Sequence, residues 1–155
     1  MPDILFVCTA NQFRSPIAVA CLTRELAEAG KTENWQVSSA GSRTADGHKT
    51  HPQAVRAAKK IGLDVSGHRS REVKSKLLEA ADLIIVMEQG HKEALAFEFP
   101  ESHSKITLLT EFIGESMSDI PDPQLSNSVE CDETAQTICE IIHQGFNELV
   151  SKFPD

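Results

Sequence analysis

The stretch Ile4-Leu5-Phe6-Val7-Cys8-Thr9-Ala10-Asn11-Gln12-Phe13-Arg14-Ser15-Pro16 decides the fold. Its first four residues form a continuous apolar run, which is typical of a strand buried on both faces of a parallel sheet. A helical pattern begins at Ser15 and ends before Gly30, since Pro is tolerated in a first helical turn and Gly terminates helices. The stretch therefore predicts a strand, a loop and a helix in succession.

The rest of the chain continues this alternation of strands and helices. The predicted strands cover residues 35–39, 82–87 and 106–109, and the predicted helices cover residues 51–61, 71–81, 89–97 and 134–153. A long stretch without periodicity, about residues 114–129, predicts a functional loop. The pattern predicts one α/β domain over residues 1–155, an open, mainly parallel four-stranded sheet flanked by helices.

Composition excludes several classes of protein. The 155 residues are 40% hydrophobic and 25% charged, which is typical of a folded globular domain. The net charge is −8, the basic residues look scattered, and no apolar run approaches the roughly 20 residues of a membrane span. We therefore expect no nucleic acid and no membrane as partner, a monomer or weak dimer, and, without an N-terminal secretory pattern, a cytoplasmic location.

The loop between the first strand and the first helix carries the chemistry. Its backbone N–H groups, from Thr9 through Ala10, Asn11, Gln12 and Phe13 to Arg14, precede a helix N-terminus and predict a cradle for a tetrahedral oxyanion. Arg14 can add a two-pronged hydrogen bond to phosphate oxygens.

The same positive environment stabilises a thiolate at Cys8, so this residue is predicted to be a nucleophile. Ser15 can donate its hydroxyl to the thiolate, and Asn11 readily adopts the positive φ of a tight loop. Taken alone, the spacing also fits a buried structural cysteine and a surface arginine. Its place between a buried strand and a helix opened by Ser-Pro favours the catalytic interpretation.

At this point the chain resembles the low-molecular-weight protein tyrosine phosphatases. The resemblance covers about 120 residues, in order. It includes the segments Val7–Pro16, Ser39–Ser42, Gly62–Arg71, Ala81–Met87 and Asp119–Pro123. It implies a metal-independent protein tyrosine phosphatase, working through a phosphocysteine on a phosphorylated protein or small aryl phosphate, without cofactor.

Thiolate attack on a phosphate ester also requires an acid that protonates the leaving group. Asp119 and Asp122 are the candidates in the late loop, although Asp-Pro pairs are also common in turns. The resemblance selects Asp122 as the acid and leaves Asp119 as a residue that orients it. It also implies that His68 supports the phosphate loop through a hydrogen bond.

The chain departs from the family pattern at the positions that set specificity and redox behaviour. Phe13 replaces a second cysteine that many members use to protect the nucleophile, so protection would depend on Cys21 reaching Cys8. Gln12 matches neither the aliphatic residue of phosphotyrosine enzymes nor the threonine of phosphoarginine enzymes. The chain has no tyrosine, so an aromatic wall would come from Phe13, Trp35 or another segment.

Two alternatives stay open beside the phosphatase. An arsenate reductase of the same fold would need further cysteines after the third strand, where Glu88 to His91 contain none. A non-catalytic phosphoprotein-binding module would need the cradle but not Cys8 together with Asp122. The other cysteines are too few for a disulfide scaffold and are expected to be structural: Cys21, Cys131 and Cys139. The other histidines have no metal-ligand spacing and are expected at the surface: His48, His51, His91, His103 and His143.

Overall fold

A computed structural model describes residues 1–114 and 118–154 and contains a four-stranded parallel sheet. The strands are β1 (Asp3–Cys8), β2 (Gln36–Gly41), β3 (Leu83–Val86) and β4 (Ile106–Leu108). Their spatial order is β2-β1-β3-β4, so β1 is paired on both sides. The predicted α/β fold is confirmed, and the loop after β1 lies at the carboxyl edge of the sheet, next to its centre.

Five α-helices connect and follow the strands in the described ranges. They are α1 (Arg14–Glu28), α2 (Pro52–Lys60), α3 (Ser75–Ala80), α4 (Gln89–Glu98) and α5 (Ser128–Ser151). None of these helices is long and apolar enough to span a membrane.

Alternate residues of β1 face two separate cores. Ile4 and Phe6 pack with apolar residues of α1, α2 and α5 on one face of the sheet. Leu5 and Val7 pack with residues of α3 and α4 on the other face. Because all four side chains are at most 1% exposed, the continuous apolar run is explained by burial on both faces.

Two predicted helix boundaries are wrong. The helix predicted from residue 71 begins only at Ser75, because the backbone of Arg71 and Val73 pairs with Gly41 instead. The helix predicted from residue 134 begins at Ser128, where the Asn127 side chain accepts a hydrogen bond from the Glu130 N–H, 3.1 Å long. Hydrophobic periodicity missed this first part because its residues are mostly polar.

The predicted late loop covers residues 114–129, of which residues 115–117 lie outside the described part of the chain. Its described residues run to the α5 start without regular structure apart from a turn. Hydrogen bonds hold the backbone of these residues at several points.

Cys21 and Cys139 form a disulfide bond between α1 and α5, with their Cα atoms 5.3 Å apart. Their expected structural role is consistent with this bond, but the pairing was not predicted, since a separation of 118 residues carries no information on partners. The bond also removes Cys21 as a partner for Cys8. Cys8 and Cys131 are free and buried.

The α5 helix approaches the turn at Phe112 so closely that only glycine fits at position 145. A Cβ there would lie 2.5 Å from the Phe112 Cβ and 3.3 Å from its carbonyl oxygen. Gly145→Ala should therefore destabilise the fold by about 1–3 kcal/mol in urea denaturation, although alanine favours helices by about 1 kcal/mol. Gly90→Ala in α4, which meets no atom within 4 Å, is the control and should be at least as stable as the wild type. Equal stability of the Gly145→Ala protein and the wild type would contradict this packing.

Candidate active site

The loop from Cys8 to Arg14 turns its backbone N–H groups inward. Asn11 lies in the left-handed region, with φ 57°, and bends the loop at its middle. Within the described ranges, none of the N–H groups of residues 9–13 donates a hydrogen bond to the protein. These N–H groups are the ones that the sequence predicts to form an anion cradle.

The Ser15 hydroxyl is directed to donate to the Cys8 thiol. Asn11 Oδ1 accepts the Arg71 backbone N–H at 2.9 Å, so the other end of this amide, Nδ2, must donate. It donates to Ser15 Oγ at 2.7 Å, which leaves the Ser15 proton for Cys8 Sγ, 3.0 Å away. A hydroxyl that donates to sulfur stabilises the thiolate form.

The Asn11 amide is further held by Ser39 in β2. Nδ2 also donates to Ser39 Oγ at 2.9 Å, so both of its protons are used. Gly41, two residues on, meets the loop so closely that a Cβ would lie 2.7 Å from the Thr9 carbonyl oxygen. The role of Ser39 was not predicted, although it lies in one of the segments that carry the family resemblance.

Arg14 is fully buried, and its guanidinium is held from one side. Nη1 donates to Glu88 Oε2 and to the Ile120 carbonyl oxygen, both at 2.7 Å. Nε has no partner among the described residues, and Nη2 faces Thr9 Oγ1 at 3.4 Å and Asp122 Oδ2 at 2.9 Å. Nε and Nη2 therefore form the edge that can bind two oxygens of one phosphate.

Glu88 is a site residue that the sequence reading missed. It lies two residues after the end of β3, and β3 pairs with β1, so the carboxyl ends of both strands meet at the edge of the sheet where the loop lies. This position after β3 is the sequence signal from which Glu88 could have been predicted. Its carboxylate orients Arg14 and compensates the buried charge.

The carboxylate of Asp122 reaches Arg14, whereas Asp119 binds elsewhere. Asp122 has a side chain 58% exposed, as a proton donor to an incoming substrate requires. Asp119 Oδ1 accepts the Gln89 N–H at the start of α4, 2.7 Å away. Ile120 N–H donates to the Met87 carbonyl at 2.8 Å, so Asp119 and Ile120 fasten the loop that carries Asp122.

His68 supports the loop from outside, as the resemblance implied. Its Nε2 donates to the Asn11 carbonyl oxygen at 2.7 Å, which fixes the proton on this nitrogen. Burial lowers the pKa of His68, and the charges of Arg71 and Arg69 act in the same direction. Neutral imidazole is sufficient for this hydrogen bond.

His91 is buried, so its expected surface position is wrong. It is 8% exposed, and its Nε2 lies 2.8 Å from Thr9 Oγ1 and 3.6 Å from Glu88 Oε2. Burial, followed by the charge of Arg14, lowers the pKa of His91 and favours its neutral form. A histidine three residues after Glu88 on a helix returns to the same face, which periodicity could have shown.

Neither predicted aromatic wall residue lines the cradle. Phe13 is 4% exposed and belongs to the core on the α1 side. Trp35 packs edge to face against Phe153, with ring centroids 5.5 Å apart. Gln12 is half-buried, and its carbonyl oxygen accepts the His51 N–H at 3.0 Å. In the described residues, no group of three or more histidine, cysteine or acidic side chains is arranged to hold a metal ion.

Known proteins are similar to this chain over nearly its whole length. A family model described as low molecular weight phosphotyrosine protein phosphatase matches residues 3–153. A protein-arginine-phosphatase of Bacillus subtilis is 38% identical over 95% of this chain and 96% of its own. A putative low molecular weight protein-tyrosine-phosphatase of Klebsiella pneumoniae is 34% identical over 92% of this chain and 90% of its own.

A solved structure is similar in fold as well as in sequence. The low molecular weight protein tyrosine phosphatase of T. tengcongensis superposes with a TM-score of 0.88 at 32% identity, covering 96% of this chain and 99% of that one. The similarity therefore extends through the sheet, the helices and the loops of the site.

The Glu88 contact predicts a loss of phosphate affinity when the carboxylate is removed. Glu88→Ala should weaken inhibition by inorganic phosphate by about tenfold, because one hydrogen bond to a charged group that orients Arg14 is lost. Glu88→Gln keeps an acceptor of the same length and should stay within about threefold of the wild type. Equal inhibition constants for the alanine variant and the wild type would show that Glu88 does not position Arg14.

Proposed function

The chain belongs to the family of low molecular weight phosphotyrosine protein phosphatases, and on this premise we propose the roles of its residues in hydrolysing phosphorylated proteins. The observation that carries the proposal is the contact of Cys8 Sγ with a donating Ser15 hydroxyl, in a loop that ends at the buried Arg14. Cys8 is the nucleophile, Arg14 and the loop N–H groups bind phosphate, and Asp122 is the general acid.

In the first step, the Cys8 thiolate attacks phosphorus. The S–P bond forms as the bond to the leaving oxygen breaks, and the negative charge of the transferred group stays on oxygens bound by Arg14 and the cradle. Phosphate oxygens that bind Nε and Nη2 take the place of the Asp122 carboxylate on Nη2. The negative charge of a phosphate dianion favours the protonated form of a neighbouring carboxyl group. That carboxyl group can then protonate the leaving oxygen.

In the second step, water attacks the phosphocysteine. Asp122, now ionised, accepts a proton from this water, and the S–P bond breaks to return the thiolate and release inorganic phosphate. The Ser15 hydroxyl stabilises the departing sulfur at 3.0 Å. In both steps the positive charge of Arg14 stabilises the oxygens of the transferred phosphoryl group. A lysine cannot reproduce the fork shape of this guanidinium.

We propose phosphotyrosine in proteins as the substrate class. We expect Gln12 on one side and the loop after Asp122 on the other to form the walls beside the cradle; Leu125 in this loop is 40% exposed. Gln53 Nε2 donates to the Leu125 carbonyl at 3.0 Å and fixes this wall. An exposed leucine can pack against a phenyl ring.

Phosphoarginine is the second candidate substrate. The relative from Bacillus subtilis is named for it, and three carboxylates lie at this site, from Glu88, Asp119 and Asp122. A guanidinium leaving group carries positive charge, which such carboxylates attract. The described structure offers no matching feature for arsenate reduction, because Cys21 and Cys139 bind each other and Cys131 Sγ faces the Gln124 carbonyl at 3.6 Å.

We also place the enzyme in the cytoplasm, as a monomer or weak dimer. The reason for the location is chemical: Cys8 must stay reduced in order to attack phosphorus, and the cytoplasm keeps thiols reduced, whereas the Cys21–Cys139 bond lies buried between α1 and α5, away from reductants.

Peptides of one sequence that carry phosphotyrosine, phosphoarginine or phosphoserine test the proposal. We expect turnover of the phosphotyrosine peptide to exceed that of the phosphoserine peptide, and loss of all turnover in Cys8→Ser with the fold intact. Cys131→Ser is the matched control and should keep its activity. Phosphate release by Cys8→Ser at a substantial rate would contradict the mechanism, and preference for the phosphoarginine peptide would select the second substrate.

The acid is tested through the leaving group. Asp122→Asn should slow hydrolysis of phenyl phosphate by about 10²–10⁴-fold, and slow aryl phosphates with electron-poor rings much less, because weakly basic oxygens leave without a proton. Asp119→Asn is the control and should show no such dependence, since its carboxylate binds the α4 N-terminus. If only Asp119→Asn showed the dependence on the leaving group, Asp119 would be the acid.

A further inference from the structure

Basic residues are concentrated in one part of this acidic chain. Residues 42–76, here called the basic segment, contain nine of the 15 lysines and arginines and three acidic residues, a net charge of +6. Since the whole chain carries −8, the remainder carries −14. The expectation that basic residues are scattered is therefore wrong.

Four carbonyl oxygens of the phosphate loop accept hydrogen bonds from the basic segment. The Ser42 and Arg43 N–H groups donate to Cys8 and Thr9, both at 2.9 Å, and the other two carbonyls accept from His51 and His68. The loop that binds phosphate is thus bordered by the most basic part of the protein.

Five cations of this segment are exposed and have no carboxylate partner among the described residues: Arg43, Lys49, Lys59, Arg69 and Lys76. By contrast, Arg56 and Lys60 both bind Asp132 at 2.8 Å. We call Arg43, Lys49 and Arg69 the basic rim, because Arg43 and the neighbour of Arg69, His68, bind the phosphate loop and Lys49 pairs with Arg69.

Two members of the basic rim stand opposite each other. Lys49 and Arg69 form an antiparallel bridge between their backbones, without a carboxylate between them. Like charges at directly opposite positions repel each other, which costs stability. An anionic ligand between them would relieve this repulsion, and the described residues supply none.

We propose that the basic rim docks acidic side chains flanking the phosphorylated residue of a protein substrate. This inference rests on the proposed phosphatase function and adds the kind of sequence that the enzyme prefers. The Arg43 N–H itself donates to the Thr9 carbonyl and Arg69 directly follows His68, so we expect a peptide that reaches Cys8 to pass close to both side chains. The charge of −14 on the remainder disfavours an extended polyanion, such as a nucleic acid or a vesicle surface.

The test compares two phosphopeptides that differ only in their flanking residues, glutamates or serines. At low ionic strength, the wild-type kcat/KM should be about tenfold higher for the acidic peptide, and this ratio should fall in 0.5 M salt to about threefold or less. The triple variant Arg43→Ser, Lys49→Ser, Arg69→Ser should reduce the ratio to about one or two. Because each ratio is taken within one protein, altered folding does not affect it.

A matched control removes the same charge at residues outside the basic rim, two of them within the basic segment. The variant Lys59→Ser, Lys76→Ser, Lys152→Ser changes three exposed residues with no described contact to the phosphate loop, and it should keep the wild-type ratio. An equal loss in both variants would show that only net charge matters and would overturn the proposal. A wild-type ratio near one would overturn it as well.

Binding of the acidic peptide, measured by fluorescence anisotropy, separates this inference from the phosphatase function. Tighter binding by the wild type than by the rim variant, without turnover of any phosphopeptide, would support docking and contradict the phosphatase. Turnover of phosphopeptides without a preference for the acidic peptide would support the phosphatase function and contradict docking. If the rim substitutions weakened only binding to phosphatidylserine vesicles or to DNA, the basic rim would serve those polyanions and the proposal would be wrong.

Discussion

The guanidinium of Arg14 has no exposed surface and must be compensated by groups from several parts of the chain. A buried ion without partners costs several kcal/mol, so the native fold forms only when those groups converge. Glu88 comes from the end of β3, the Ile120 carbonyl and Asp122 come from the late loop, and Thr9 comes from the phosphate loop itself. Compensation of this one charge thereby brings together the residues proposed as nucleophile, phosphate donors and acid.

The sequence predicted those features that a short stretch contains in full. The apolar run of β1, Cys8, Arg14 and the opening of α1 are neighbours in sequence, so their relation follows from local geometry. Asp122 was found through the family resemblance. Glu88 and Ser39 were missed because each touches the loop across a strand pairing, which no local pattern shows.

The remaining errors have the same physical origin. Phe13 is 4% exposed and belongs to the core on the α1 side, so core packing takes the side chain expected to line the cradle. The composition of residues 71–74 favours a helix. Their backbone instead pairs with Gly41, and this pairing holds the phosphate loop. Tertiary contacts at the site override local preference in both cases.

The disulfide bond divides the chain into a covalent ring and two arms. Residues 21–139 form the ring, which contains β2, β3, β4 and the late loop, whereas Cys8, Arg14 and β1 belong to the N-terminal arm. Yet β2 and β3 do not pair with each other; each pairs with β1. The N-terminal arm must therefore thread into the middle of the ring's sheet, and Arg14 reaches Asp122 only when that central strand is in place.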